Sequence, residues 1–311
     1  MTLIILLGQT CSGKSQMAVD LAKKLGYSWI VNCDSRQVYQ YLNIGTAKVD
    51  GTWQEFYNFG KVFIYQDIPH FLIDFVNPIK KYSLHKFLQD WCNLFQRYQN
   101  YLPEFVILTG GTGLFAKGIS HQYQLGDIDS QFKDIFENQK YILNQQNLQQ
   151  LQKQIEEIDG IEYFNQSDFF NRRRLINRIL QYYSQKFGWF KQNHLDYPQF
   201  EKTFEFAITI EQELLKERIK FRLNERIQNG LLLEVSNLQI DEDRLWELGL
   251  EYRISSLYLK GWLSHNEWKS KLFQENCKYA KRQLTWLKKQ SLIWIDGLES
   301  LYTFLKLETK N

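Results

Sequence analysis

Two periods of apolar and polar residues alternate along the chain. Residues 3–7 are apolar at every position and read as a strand buried on both faces, and residues 16–26 are apolar at helical spacing, with Lys23 and Lys24 in the last turn and Gly26 at the stop. Residues 28–33 predict a second strand and residues 70–75 a third. Ser83 caps an amphipathic helix running towards Asn100, residues 105–108 form a parallel-type strand, and a helix follows from Leu114 to about Gly118. Strands alternating with helices predict right-handed βαβ units and a parallel sheet.

From about Gly126 the pattern changes. Residues 139–154 are rich in Gln, Asn and Leu and predict one helix, and residues 169–180 predict another with arginines on one side and apolar residues on the other. The sheet resumes at residues 204–210, read as its last central strand. A long helix follows from Gln212 to Asn229, stopped by Gly230. Ser264 and Glu267 form a capping box that opens a helix carrying Lys278, Lys281, Arg282, Trp286, Lys288 and Lys289. The expected organisation is a core of residues 1–125 and 201–311, interrupted by a helical insertion at 126–200.

Composition narrows the class without choosing a function. A chain of 311 residues that is 44% hydrophobic can bury a sizeable core. Cys11, Cys33, Cys92 and Cys277 stand far apart with no C-x-x-C pair, which suggests neither a disulfide framework nor a zinc site and fits a reducing cytosol. The first apolar run has no basic lead and is soon broken by Lys14, so neither a signal peptide nor a membrane span is expected. A net charge of +3 does not by itself call for a nucleic-acid partner.

The chemistry begins at Gly8-Gln9-Thr10-Cys11-Ser12-Gly13-Lys14-Ser15, which fits G-x-x-x-x-G-K-[ST] between the first strand and the first helix. Gly8 and Gly13 let the backbone turn its N–H groups inward, and the helix N-terminus adds a positive dipole where a phosphate sits. Lys14 is placed to reach the outer phosphate, and Ser15 is the Mg²⁺ ligand. The fold expected is therefore α/β: a P-loop NTPase-like parallel sheet with flanking helices and a helical insertion. Asp34, at the end of the second strand, is a candidate base or metal-shell group, with an N-cap for a following helix as the alternative. Thr109-Gly110-Gly111-Thr112-Gly113 is a second glycine turn at a strand's carboxyl end. In the insertion, Arg172, Arg173, Arg174 and Arg178 stand beside Tyr182, Tyr183, Phe187, Trp189 and Phe190. This is equipment for gripping flexible RNA, or else a solvated basic face over core aromatics. Arg218, Arg222 and Arg226 share one helix face, where they either reach phosphates or pair with Glu217, Glu225 and neighbours. No N-K-x-D or D-x-x-G motif marks a GTPase switch; a small-molecule kinase stays open.

The order of motifs resembles that of tRNA dimethylallyltransferases over nearly the whole chain. It comprises residues 8–15, 34–39, 44–48, 69–74, Tyr82-Ser83 and 110–112, then Arg218-Ile219 with Arg222, Tyr252-Arg253 and residues 280–287. The resemblance implies transfer of a dimethylallyl group from dimethylallyl diphosphate to N6 of the adenine on the 3′ side of a tRNA anticodon, with a P-loop kinase or an adenylate prenyltransferase as alternatives. It implies that residues 8–15 and Arg253 hold the diphosphate, that Asp34 is general base, and that Thr10 and Thr112 position donor and acceptor. Asp34, Ser35, Arg36, Gln37, Thr112 and the insertion arginines then meet the tRNA anticodon stem-loop. Four positions depart from the pattern: Gln9 replaces a usual proline, Glu251 a usual glycine, Leu248 stands where an arginine is often found, and Asn177 takes the place of an arginine in R-R-x-x-R, with Arg178 following. A monomeric cytosolic enzyme of bacterial type is expected.

Overall fold

The computed structural model describes residues 1–158, 161–164, 168–191 and 194–309. Strand β1 (Thr2–Leu7) is buried at every position, as its unbroken apolar run requires. Helix α1 (Lys14–Leu25) and strand β2 (Ser28–Asn32) follow. A hairpin that the sequence pattern did not disclose comes next, β3 (Thr52–Glu55) and β4 (Lys61–Tyr65), leading into β5 (Ile68–Phe71). β3 is exposed throughout, so no buried alternation signals it. β5 stops short of the expected residue 75, since Leu72 and Asp74 take left-handed conformations with φ of 54° and 56°. Helix α2 (Leu84–Arg97) begins at the predicted Ser83 cap, whose hydroxyl accepts from the Lys86 N–H, and β6 (Phe105–Gly110) and α3 (Gly113–Ser120) complete the amino-terminal half.

The insertion contains β7 (Asp127–Ile128), α4 (Lys133–Gln145), α5 (Leu148–Glu157), α6 (Arg172–Lys186) and β8 (Phe190–Lys191). The single helix expected over 139–154 is two. Asn147 caps α5 in a reciprocal box with Gln150, and a side chain that competes for backbone N–H groups ends one helix and starts the next. The remaining elements are β9 (Lys202–Ile208), α7 (Gln212–Gln228), α8 (Leu231–Asn237), α9 (Glu242–Leu248), α10 (Leu250–Leu259), α11 (His265–Leu287), β10 (Ile293–Ile295) and α12 (Leu298–Thr309). β9 is the last central strand, as expected, and the short β10 pairs parallel to it as the edge of the sheet.

The fold divides into Met1–Tyr123 with Asp196–Asn311, and Gln124–Leu195. Residues 196–200 pack with the first unit: the Tyr197 hydroxyl donates to the Tyr123 carbonyl at 2.8 Å, and Phe200 meets the rings of Trp91 and Phe95. That unit's sheet runs β10-β9-β1-β6-β2-β5-β4-β3, parallel from β10 to β5 and antiparallel at the β5-β4-β3 edge. Register places Leu7 beside Gly110 and Asn32 beside Thr109, so the chain leaves β1, β2 and β6 at one level. Below that level Ile4, Leu6, Ile30, Ile107 and Phe206 pack against α1 and α12 in a core where truncating one Leu or Ile to Ala costs about 2–5 kcal/mol. A second core joins Val38, Tyr39 and Leu42 to Leu231, Leu248, Tyr252, Trp268 and Leu272, and so fixes the segment after β2 against the helical layer. The insertion has its own small core of Leu143, Leu151, Ile155, Leu175, Ile179 and Leu180.

Candidate active site

The glycine loop between β1 and α1 carries positive φ at Cys11 (63°) and at Gly13 (90°), the turn geometry that aims successive N–H groups inward. Lys14, the first residue of α1, folds back so that its ammonium donates to the Gln9 carbonyl at 3.4 Å. Burial lowers the Lys14 pKa from its usual value, and the nearby Asp34 carboxylate opposes that shift. Ser12 Oγ is buried without a hydrogen-bond partner in the loop, and the half-buried Ser15 lines a small cleft with Lys14, Asn32 and Asp34. This donor set fits Mg²⁺, which takes one or two protein oxygens and completes its shell with phosphate and water.

Asp34 is held by two backbone donors, the Arg36 N–H on Oδ1 at 2.8 Å and the Gly111 N–H on Oδ2 at 3.2 Å. The alternative of a helix cap is removed, because among the described residues no α-helix begins between β2 and β3. Gly111 allows the close approach: a Cβ there would lie 2.6 Å from Asp34 Oδ2. The Thr112 hydroxyl accepts from the Ser35 N–H at 2.9 Å and donates to the Ser35 hydroxyl at 3.1 Å, tying the second glycine turn to the segment after β2. The Gln37 amide donates to the carbonyls of Thr46 and Ala47 and so supports the 43–48 loop from inside.

Two helices distant in sequence complete the arrangement. From α7, the Arg222 guanidinium donates to the Thr10 hydroxyl, and Arg218 lies alongside Gly13. Burial, and then the neighbouring Arg226, lowers the Arg222 pKa. Arg226 does not pair with Glu225; it meets Glu251 of α10 at 2.7 Å, with side chains 8% and 13% exposed. From α11, Gln283 Oε1 accepts from the Thr10 N–H at 2.7 Å while its Nε2 donates to the Gly111 carbonyl at 3.1 Å, bridging the two glycine turns. Gln9 is buried and donates to the Ala280 carbonyl at 3.0 Å. Thr10, Asp34, Thr112, Glu251, Arg253 and Trp286 line one cavity of about 590 Å³, a volume that takes a small ligand with a few convergent polar groups.

A family model for IPP transferases matches residues 37–290, and one for isopentenyl transferases matches residues 1–67. tRNA dimethylallyltransferase 1 of Syntrophus aciditrophicus is 34% identical, with 99% of this chain and 97% of the relative covered. tRNA dimethylallyltransferase 2 of Shewanella sediminis is 32% identical over 96% and 95%. The chain belongs to the tRNA dimethylallyltransferase family. Among solved structures, the tRNA isopentenylpyrophosphate transferase of Bacillus halodurans superposes with a TM-score of 0.64 at 24% identity, covering 99% of this chain and 97% of that one. A eukaryotic dimethylallyltransferase acting on tRNA superposes with a TM-score of 0.65 at 22% identity, over 95% and 73%. The P-loop-type α/β fold expected from the sequence is the fold of these structures.

The residues that the family resemblance assigns fall in two places. Gly8 to Ser15, Asp34 to Gln37, Thr112 and Arg253 all belong to the core. Arg253 stands in the cavity wall with its guanidinium 5.8 Å above the Trp246 ring, whereas Arg222 is the arginine bonded to the loop. Sequence reasoning left Arg222 undecided between phosphate and a neighbouring carboxylate, and it gave Gln283, Tyr279 and Trp286 no role. The only signals were the arginine stripe for Arg222 and the matched terminal motif for Gln283 and Trp286, and Tyr279 had none. Burial, followed by Asp34, raises the Tyr279 pKa, which keeps this cavity phenol neutral.

Within the insertion, the arginines are largely committed to their own unit. Arg172 donates to the Asn144 carbonyl, Arg174 pairs with Asp168, and Arg178 donates to Gln181 at 3.4 Å, while Arg173 is exposed. The aromatics divide as well. Tyr183, Phe187 and Trp189 stack in a row with centroids 6.0 and 5.6 Å apart, Trp189 is buried, and Phe170, Phe187 and Phe190 are exposed.

Proposed function

We propose that this chain transfers the dimethylallyl group of dimethylallyl diphosphate to N6 of the adenine on the 3′ side of a tRNA anticodon. The observation that carries the reading is the convergence, on one cavity, of the loop residue Thr10 and a doubly anchored carboxylate, Asp34. In the step, N6 bonds to C1 of the prenyl group as the C1–O bond breaks. The N6 proton passes to Asp34, and pyrophosphate leaves with the bonding electrons. Asp34 is general base because its oxygens, each fixed by one N–H, retain lone pairs for the incoming proton. Lys14, Arg222 and the inward N–H groups of residues 8–15 stabilise the charge that grows on the leaving group. Mg²⁺ on Ser15 and the diphosphate would supply further electrophilic stabilisation when bound.

Arg222 also fixes the Thr10 hydroxyl, so the threonine acts as a positioned contact to the donor. Thr112 and Ser35 shape the acceptor side, where Arg36 and Trp286 offer a cation and a ring to an extruded base. An unpaired anticodon loop makes that extrusion cheaper than in a duplex. The insertion supplies the tRNA grip through Arg173 and the exposed rings, with Arg172, Arg174 and Arg178 reinforcing it. Among the described residues no helix is long and apolar enough to cross a membrane. A monomer working in the cytosol is part of the proposal.

The test is incubation of the purified protein with dimethylallyl diphosphate, Mg²⁺ and either unmodified tRNA or AMP, followed by mass spectrometry of the nucleosides. Prenylated adenosine from tRNA is the expected product. Prenylated AMP with untouched tRNA, or ATP consumption with a small acceptor, would overturn the reading.

A further inference from the structure

Arg222 and Arg226 stand one turn apart on α7, and the structure gives them different partners. Arg222 reaches the phosphate loop through Thr10, while Arg226 is held by Glu251, a residue in the first turn of α10. Both members of the second pair line the 590 Å³ cavity, and Arg226 also borders a second opening of about 530 Å³ that Arg222 lines too. The Nε of Arg226 is buried without a hydrogen-bond partner, so its guanidinium keeps a donor uncommitted. Glu251 is thus the counter-charge of a second arginine that lines the same cavity as Thr10.

We infer that Glu251 is a positioning residue that withholds Arg226 from the diphosphate, so that the pair sets how tightly pyrophosphate is held and released. This rests on the donor-site reading above. A diphosphate facing Lys14, Arg222 and the loop N–H groups is already strongly bound. A further guanidinium would tighten substrate and product alike, and such uniform binding lowers KM without raising kcat. Where product release limits turnover, the extra cation slows the enzyme. A carboxylate on Arg226 avoids this while leaving Arg222 available, and it accounts for an acidic side chain in the wall of an anion site.

The experiment is titration of pyrophosphate with Mg²⁺ into wild type, Glu251→Gln and the double variant Glu251→Gln/Arg226→Met, with donor KM, steady-state kcat and single-turnover rates measured alongside. Freeing one partly buried cation should tighten pyrophosphate binding roughly three- to tenfold in Glu251→Gln. Donor KM should drop, and steady-state kcat should fall further than the single-turnover rate. The double variant, which removes both charges at similar volume, should return pyrophosphate affinity to near the wild-type value. Unchanged or weaker binding in Glu251→Gln, or a double variant that stays as tight as the single one, would overturn the inference. So would a uniform loss of affinity in both variants that tracks lowered melting temperature, since that marks a purely structural pair. Wild-type protein that does not bind pyrophosphate would instead overturn the donor-site reading itself.

Discussion

The glycine turns of the core and the arginine helix of the insertion use similar polar side chains in opposite ways. In the core, the polar groups of the two glycine turns and of Asp34 reach residues far away in sequence: Thr10 to Gln283 and Arg222, Asp34 to Gly111, Thr112 to Ser35. Such cross-chain ties hold donors and acceptors in place before substrate arrives, which a developing charge needs if no reorganisation is to accompany the chemical step. In the insertion, Arg172 and Arg174 are satisfied within their own unit, and Arg173 lies at the surface. Groups like these suit a partner bound mainly through its phosphates, where charge matters more than angle. Damage to the two regions should therefore fail differently.

The largest effect is expected at the most tightly anchored group. Asp34→Asn keeps the shape of the cavity but cannot take the N6 proton, so the single-turnover rate should fall by about 10² to 10⁴ while tRNA and donor binding persist. Equal rates in variant and wild type would remove Asp34 from the mechanism. Lys14→Ala comes next: without its charge-assisted hydrogen bond to the diphosphate, donor affinity should weaken by about tenfold to a hundredfold, with tRNA affinity nearly unchanged. The wild-type affinity should also fall with rising pH earlier than an ordinary lysine dictates, because burial lowers the Lys14 pKa and the neutral amine cannot pair with phosphate. A donor affinity flat up to the ordinary lysine range would contradict that placement.

A smaller effect is expected in the insertion. Replacing Arg172, Arg173 and Arg174 together by alanine should flatten the dependence of log tRNA affinity on log salt by about 0.7 to 0.9 for each phosphate that is no longer neutralised. Because Arg172 and Arg174 already serve their own unit, most of the change should reappear in Arg173→Ala alone. A triple variant with wild-type affinity and slope would move the RNA grip to the lysine-rich face of α11 around Lys281 and Arg282.

The contrast also explains what could be read from the chain. Continuous runs such as β1 and the glycine loop are local signals, and the second glycine turn follows its strand by the same logic, so the βα frame and the cluster of residues 8–15, 34–37 and 110–112 were legible. The β3–β4 hairpin was not, since β3 buries none of its residues and carries no alternation. β10 is three residues long and takes its identity from pairing with β9. Arg222 and Glu251 were visible as residues but not as roles, because an arginine on a helix face meets a carboxylate or a phosphate according to its tertiary surroundings. Glu234 is the extreme case: its carboxylate accepts from the N–H groups of Asn43, Ile44 and Gly45, nearly two hundred residues away, and from the Tyr252 hydroxyl.

Stability at low pH also separates the buried core from the insertion. His70 donates from Nδ1 to the Ile68 carbonyl, and burial pushes its pKa down from 6.5 to about 4. The unfolded chain therefore binds the proton more readily than the folded one in that window, and His70 should remove about 3 kcal/mol of stability as pH falls from 6.5 towards 4. Denaturant melts at pH 7 and pH 5 should show a smaller acid loss in His70→Gln than in wild type, and the insertion arginine variants should leave that loss unchanged. An identical loss in His70→Gln and wild type would place the acid sensitivity elsewhere.

The central claim, that the core cavity joins a prenyl donor to an exocyclic amine presented by tRNA, is tested most directly with two synthetic anticodon stem-loops. One carries adenine on the 3′ side of the anticodon, and the other carries purine, which lacks the exocyclic amine, at the same place. Incubated with the protein, Mg²⁺ and dimethylallyl diphosphate, the adenine stem-loop should gain one dimethylallyl group, mapped by fragmentation to N6 of that nucleotide, and the purine stem-loop should gain none. Equal labelling of both, or a group mapped to another nucleotide, would contradict the account.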